Sequence, residues 1–275
     1  MKARRTVFYL SDRTGITAEV LGKTLLTQFP GVELRKHVIP FIDTVEKATA
    51  ILEQINHTAS QEEQRPIVIS TLINDNLRLI IEKANAMCLD LFEGFIGKLE
   101  GELGMQSSHA LGLTHGIGNA LAYERRMAAV NYALAHDDGL APANYAEADL
   151  ILIGVSRSGK TPTCLYLAMQ YGVRAANYPL TSDDLESLAL PKSLVPHRGK
   201  LHGLSISPER LTVIRNERKP DSRYAAIDTC RAEVRAAEDL FQRLRLPYVD
   251  TTTKSIEEIA VTVLHKTGIA ATLPI

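Results

Sequence analysis

Apolar residues along this chain fall in short runs, separated by polar or glycine- and proline-marked turns, and these runs alternate with stretches of helical spacing. Residues 6–10, TVFYL, are β-branched and aromatic and predict a strand. The run breaks at SDRTG (11–15), and a helical pattern follows over 17–29 until Pro30 ends it. The same alternation predicts strands at 32–41 and 66–70 and helices at 44–57 and 74–86. Strand–helix units in series predict a parallel, doubly wound sheet. The pattern then lapses between 94 and 118, a breaker-rich stretch that also holds His109 and His115 and marks the candidate domain boundary. Helical spacing resumes over 119–135 through Tyr123, Met127, Val130, Ala133 and Leu134. Beyond it lie strands at 150–153, 173–179, 201–205 and 247–251, with helices after 161, from 185, from 208, over 223–243 and from 255. The expected fold class is α/β: an N-terminal parallel-sheet α/β domain over 1–106, then a P-loop, kinase-like α/β domain over 107–275.

The second domain carries the sharpest motif. Gly154, Val155, Ser156, Arg157, Ser158, Gly159, Lys160 and Thr161 spell G-x-x-x-x-G-K-[ST], the phosphate-binding P-loop. Average residue usage puts a chance match in a chain of this length at roughly one in a hundred. The flanks have the required order. A continuous apolar run at 150–153 precedes the loop, as for a strand buried on both faces. Pro162 suits the first turn of a helix, and Gly172 is placed to end it in a left-handed conformation. The two glycines let successive N–H groups turn toward an anion, the helix N-terminus adds its dipole, Lys160 reaches the terminal phosphates, and the Thr161 hydroxyl can ligate Mg²⁺.

Charge narrows the partners. The chain has 31 basic and 32 acidic residues among its 275, so no global field recruits nucleic acid or an anionic membrane. No apolar stretch approaches 18 residues, and the opening MKARRTVFYLSDR turns polar too soon for a signal peptide; a soluble, cytoplasmic protein is expected. Cys88, Cys164 and Cys230 are scattered and odd in number, which points to core thiols rather than a disulfide frame or zinc site.

Weaker candidates surround the P-loop. Ser11, Thr14 and Gly15 lie between a strand and a helix, either a second phosphate cradle or an ordinary N-cap and turn. Asp137 and Asp138 follow His136 and precede Gly139; the pair can hold Mg²⁺ or take a proton from a hydroxyl nucleophile, or simply end a helix. The acids in TSDDL (181–185) either meet an acceptor or cap the next helix. Arg215, Arg218 and Arg223 are candidates to clamp a phosphoryl group, or solvated helix charges; Arg157 sits inside the loop itself. Ser255 and Glu258 have capping-box spacing. No long apolar strand ending in Asp follows the P-loop, which disfavours a motor ATPase or GTPase switch.

Taken together, SDRTGITAE (11–19), Tyr123-x-x-Arg126, AHDDG (135–139), ADLILIGVSRSGKTPT (148–163), AANYPL (175–180), GLSISPERL-x-x-IR-x-x-R (203–218) and SIEE (255–258) resemble the bacterial phosphoenolpyruvate synthase regulatory protein family, which includes regulators of pyruvate, phosphate dikinase. The resemblance runs through nearly the whole chain in order. It implies a bifunctional enzyme: an ADP-dependent kinase that phosphorylates a threonine of the synthase, inactivating it and releasing AMP, and a phosphorylase that removes the group with inorganic phosphate, releasing pyrophosphate. It implies an ADP-binding role for 154–161 and raises Asp137 and Asp138 as catalytic carboxylates; the residues themselves suggest catalytic charge neutralisation by Lys160 and Arg157, with Mg²⁺ on Thr161. Ser11, Thr14, Gly15, Arg215 and Arg218 are expected near the phosphate or the protein substrate. A second copy of the chain is admitted as a partner. The rival readings are the same chemistry on the dikinase, an ATP-dependent small-molecule kinase, and a non-catalytic nucleotide-sensing module.

Overall fold

The computed structural model describes residues 3–62, 64–108, 120–137 and 144–269, and the chain divides into two compact units, Met1–Gly116 and Ile117–Ile275. In the first unit the β-branched opening run is β1 (Ala3–Leu10), followed by α1 (Ile16–Leu26), β2 (Val32–Ile39), α2 (Val45–Gln61), β3 (Ile67–Ser70), α3 (Asp75–Ile81), β4 (Met87–Asp90) and α4 (Glu93–Leu103). All strand pairings are parallel, in the order β2-β1-β3-β4. Strand alternation divides the core in two: Phe8, Leu10 and Val68 face Ile51, Ile55 and Leu77, while Val7, Tyr9 and Ile69 face Ala18.

Two elements here depart from the expected pattern. β4 and α4 occupy a stretch with no expected element over 87–93 and breakers from 94 on. Gly94, Gly97 and Gly101 each cost about 1 kcal/mol in a helix but do not forbid it. Asp90 starts the turn, its Oδ1 accepting from the amides of Phe92 and Glu93, both at 2.8 Å, and left-handed Gly104 ends it. Cys88, expected in the core, is exposed, because β4 is an edge strand with no neighbour beyond it among the described residues. Cys164 and Cys230 are buried.

The second unit runs α5 (Ala120–Ala135), β5 (Leu150–Gly154), α6 (Lys160–Tyr171), β6 (Ala175–Pro179), α7 (Ser182–Ser187), β7 (Leu201–Ser205), α8 (Pro208–Arg218), α9 (Ile227–Arg243), β8 (Tyr248–Asp250) and α10 (Ile256–Thr267). Its sheet is again parallel, in the order β6-β5-β7-β8. Every residue of β5 is buried. Ile151 and Ile153 pack with Leu211, Leu240 and Phe241 on one face, and Leu150 and Leu152 with Leu167, Ile259 and Val263 on the other. The helix expected over 223–243 divides into a 3₁₀ turn, Arg223–Ala225, and α9, because Ala226 is extended between them. Gly172 ends α6 with φ 64°, and the capping box of Ser255 and Glu258 opens α10. Among the described residues no helix is long and apolar enough to cross a membrane. The fold is α/β, with two four-stranded parallel sheets.

Candidate functional site

In a sheet of order β6-β5-β7-β8, the connections from β5 and from β6 leave in opposite directions, which opens a crevice at the carboxyl ends of β5 and β7. The P-loop lies there. Its first residue must be glycine: a Cβ on Gly154 would overlap the backbone oxygen of Leu204 in β7 and lie 3.0 Å from Ser158 Oγ. The loop then turns, with the Ser158 amide donating to the Val155 carbonyl at 3.3 Å. Arg157 and Gly159 both have left-handed backbones, φ 74° and 93°. Such left-handed turns point successive amides into a concavity suited to an anion. α6 starts at Lys160, so the positive end of its dipole faces the same spot.

Lys160 is only 4% exposed and curls back over the loop, its Nζ donating to the Val155 carbonyl at 2.9 Å. One turn of chemistry away, the Thr161 hydroxyl donates to Asp137 Oδ1 at 2.7 Å. Asn177, on β6 and 1% exposed, completes the group: its Nδ2 donates to the same Asp137 oxygen at 2.6 Å and to Thr161 Oγ1 at 2.9 Å. Asp137 is held in place from behind by His136. That ring stacks on Tyr132 with centroids 3.9 Å apart, and its Nδ1 lies 2.8 Å from the Tyr132 carbonyl. A carbonyl can only accept, so Nδ1 carries the proton, and Nε2 accepts from the Asn144 amide at 3.1 Å. The His136 carbonyl accepts from the Asn177 amide at 3.2 Å, which ties the end of α5 to β6.

These groups open on a cleft of about 450 Å³ lined by Asp137, Ser156, Arg157, Gly159, Lys160, Thr161, Pro162, Ile214 and Arg218. Arg218 is thus on the cleft wall, exposed at the end of α8. Arg215 is not; it is fully buried behind the loop, its guanidinium bonded to the Ser156 carbonyl (3.1 Å), the Tyr224 carbonyl (3.0 Å) and Glu233 (2.6 Å). Arg223 is exposed and outside the cleft lining. Asp184 is taken up by a capping box with Thr181 and by the Tyr178 hydroxyl at 3.1 Å, so the acids of TSDDL serve their helix. Burial and the adjacent Asp184 carboxylate push the Tyr178 hydroxyl up to about 12. Burial also raises the Cys164 thiol, which is therefore an inert core group.

Asp138, His109 and His115 lie outside the described residues. Ser11, Thr14 and Gly15 are in the first unit, after β1. Gly15 is the N-cap of α1 at φ 78°, buried Ser11 accepts from the Arg13 amide at 3.1 Å, and Thr14 is exposed. Tyr224 and Glu233 fall in none of the motifs, and Asn177 lies in AANYPL with no role attached to it. For Asn177 a signal existed: a lone amide inside the apolar run AANYP needs a buried partner. Among the described residues no three His, Cys, Asp or Glu side chains gather as a metal cage.

The model of the kinase/pyrophosphorylase family matches residues 7–264. Three relatives carry the provisional name of phosphoenolpyruvate synthase regulatory protein. The one from Laribacter hongkongensis is 55% identical over 271 residues, covering 98% of this chain and 99% of its own. One from Neisseria meningitidis is 53% identical over 265 residues, covering 96% of this chain and 97% of its own. That from Ectopseudomonas mendocina is 50% identical over 266 residues, covering 97% and 98%. A family model spanning both sheets, with relatives of this identity over almost the whole length, leaves one conclusion: the chain belongs to the kinase/pyrophosphorylase family.

Proposed function

We propose that this protein regulates phosphoenolpyruvate synthase by moving one phosphoryl group on and off a threonine of that enzyme, with ADP as donor and inorganic phosphate as acceptor. The observation that carries the reading is the cleft in which the P-loop amides, Lys160, Arg157, Thr161 and Asp137 converge. The family description, which couples a kinase with a pyrophosphorylase, and the names of the relatives support the two directions and the target.

In the forward direction the threonine oxygen attacks the β-phosphorus of ADP. The bond from that phosphorus to the bridging oxygen breaks, AMP leaves, and the threonine proton passes to a carboxylate. In the reverse direction an oxygen of inorganic phosphate attacks the phosphothreonine phosphorus, the bond to the threonine oxygen breaks, that oxygen regains a proton, and pyrophosphate leaves. Both directions pass through a species with two phosphorus atoms sharing the pocket, so one cradle serves both. Little covalent chemistry falls to the protein; positioning and charge neutralisation are its contribution. The loop amides and Lys160 neutralise the phosphate that stays in the cradle. Arg157 and Arg218, on the cleft lining, neutralise the group in flight.

Mg²⁺ in nucleotide sites takes one or two protein oxygens and fills its other positions from phosphates and water. The Thr161 hydroxyl and Asp137 carboxylate, hard oxygen donors already in contact, fit that requirement and would hold it. When bound, the ion supplies charge neutralisation across the bridged phosphates. Asn177 keeps both ligands aimed into the cleft.

The test is to mix the protein with phosphorylated synthase and inorganic phosphate and to assay pyrophosphate. Pyrophosphate should appear in step with recovered synthase activity. ADP and ATP offered in parallel to unmodified synthase should yield AMP from ADP and no reaction with ATP. Recovery of synthase activity without pyrophosphate, or ATP turnover in place of ADP, would overturn the reading.

A further inference from the structure

Arg215 was a candidate phosphate clamp, yet its fully buried guanidinium faces the back of the P-loop and is already committed there. One terminal nitrogen donates to the Ser156 carbonyl at 3.1 Å and to Glu233 Oε2 at 2.6 Å; the other donates to the Tyr224 carbonyl at 3.0 Å. The guanidinium carbon lies 4.1 Å from the centroid of the Tyr224 ring, and the Tyr224 hydroxyl is 2.9 Å from Ser156 Oγ. Ser156 is therefore gripped twice, by its carbonyl through Arg215 and by its side chain through Tyr224. Thr251, at the end of β8, grips the loop again two residues on, its hydroxyl 3.2 Å from the Ser158 carbonyl.

A trans peptide is planar, with its N–H pointing opposite to its C=O. Holding the Ser156 and Ser158 carbonyls against the protein body thus turns the Arg157 and Gly159 amides the other way, toward the cleft. The strained, left-handed backbone of Arg157 needs such a hold, because a non-glycine residue in that conformation persists only where its surroundings over-determine it. A buried arginine with Nε unpartnered among the described residues is poorly optimised as a stabilising pair, which is understandable if its task is geometric. From this geometry we infer that the Arg215–Tyr224 clamp on Ser156 is the positioning device of the diphosphate cradle, setting the direction of the loop amides without touching the ligand. The inference rests on the phosphoryl-transfer reading above.

Arg215→Lys keeps a cation near Glu233 but cannot fork to two carbonyls at once. In full-length protein, with folding checked by circular dichroism and assays run well below the variant's Tm, KM for ADP and for inorganic phosphate should each rise about tenfold or more. KM for the synthase should stay within about twofold, since the clamp acts on the cradle alone. Unchanged KM for ADP and phosphate, or an equal rise in all three, would overturn the clamp as a positioning device. If Arg215→Lys does not fold, Tyr224→Phe decides. It removes only the hydroxyl on Ser156, and about a threefold rise in KM for ADP is expected; no change would sink the proposal. Kd for ADP is measured alongside by calorimetry. A wild type that binds ADP without turning it over refutes phosphoryl transfer, while the ratio of variant to wild-type Kd still judges the clamp.

Discussion

Lys160→Met separates the contribution of one ammonium from that of the cradle around it. Methionine fills much of the volume of the lysine stem, so the packing of a side chain 4% exposed is largely kept. The variant loses the contacts of Nζ, among them the 2.9 Å bond to the Val155 carbonyl, and with them the cost of holding an ammonium out of water. These oppose each other, and the net change in stability should be about 1 kcal/mol or less. Function is a different matter, because in the proposed reading the ammonium neutralises phosphate charge that builds up only during transfer. Removing one preorganised electrostatic donor to a developing anion costs about 3 to 4 kcal/mol. That is about a hundredfold to a thousandfold in kcat/KM. The proposed function has one cradle serve both directions, so AMP release from ADP and pyrophosphate release from phosphorylated synthase should fall by similar factors, with Tm nearly unchanged. Coupled assays of both products on the same preparation read this directly. A variant that retains full phosphorolysis while losing the kinase activity refutes the shared pocket.

Gly154→Ala drives a methyl group into the Leu204 backbone oxygen, which cannot rotate away as a side chain would. The strain should cost about 1 to 3 kcal/mol and lower Tm by about 5 °C, and ADP affinity by calorimetry should fall as well; a variant with wild-type Tm would show that the strand and loop are less closely apposed. His202, wholly buried in β7 with its Nδ1 on the Gly203 carbonyl (3.1 Å), has its pKa pushed down to about 4 by burial. Unfolded, it would titrate near 6.5. The unfolded chain therefore binds the extra proton first: its contribution is whole above about pH 6.5 and is lost as pH falls toward 4, about 3 kcal/mol in all. Urea unfolding between pH 7 and 4 should show this loss in the wild type and a flatter profile in His202→Leu; parallel profiles would mean that the imidazole is not held neutral.

What could be read along the chain was whatever neighbouring residues decide among themselves. The strand that enters the P-loop, the glycines and proline around it, the left-handed end at Gly172 and the capping box of Ser255 and Glu258 all follow from backbone preferences within a few residues, and they are where the pattern put them. Local rules also explain the error at α4, where three glycines outweighed the capping role of Asp90. Topology decided the rest. Asp137, Thr161 and Asn177 meet because parallel crossovers bring the end of α5, the start of α6 and the end of β6 to one edge of the sheet. Arg215 and Arg218 sit on the same helix three residues apart, yet one is sealed behind the P-loop and the other stands on the cleft wall. Residue type alone could not separate them, because a guanidinium can donate to a carbonyl as well as to a phosphate. Which of the two it meets depends on the face of α8 that the sheet buries.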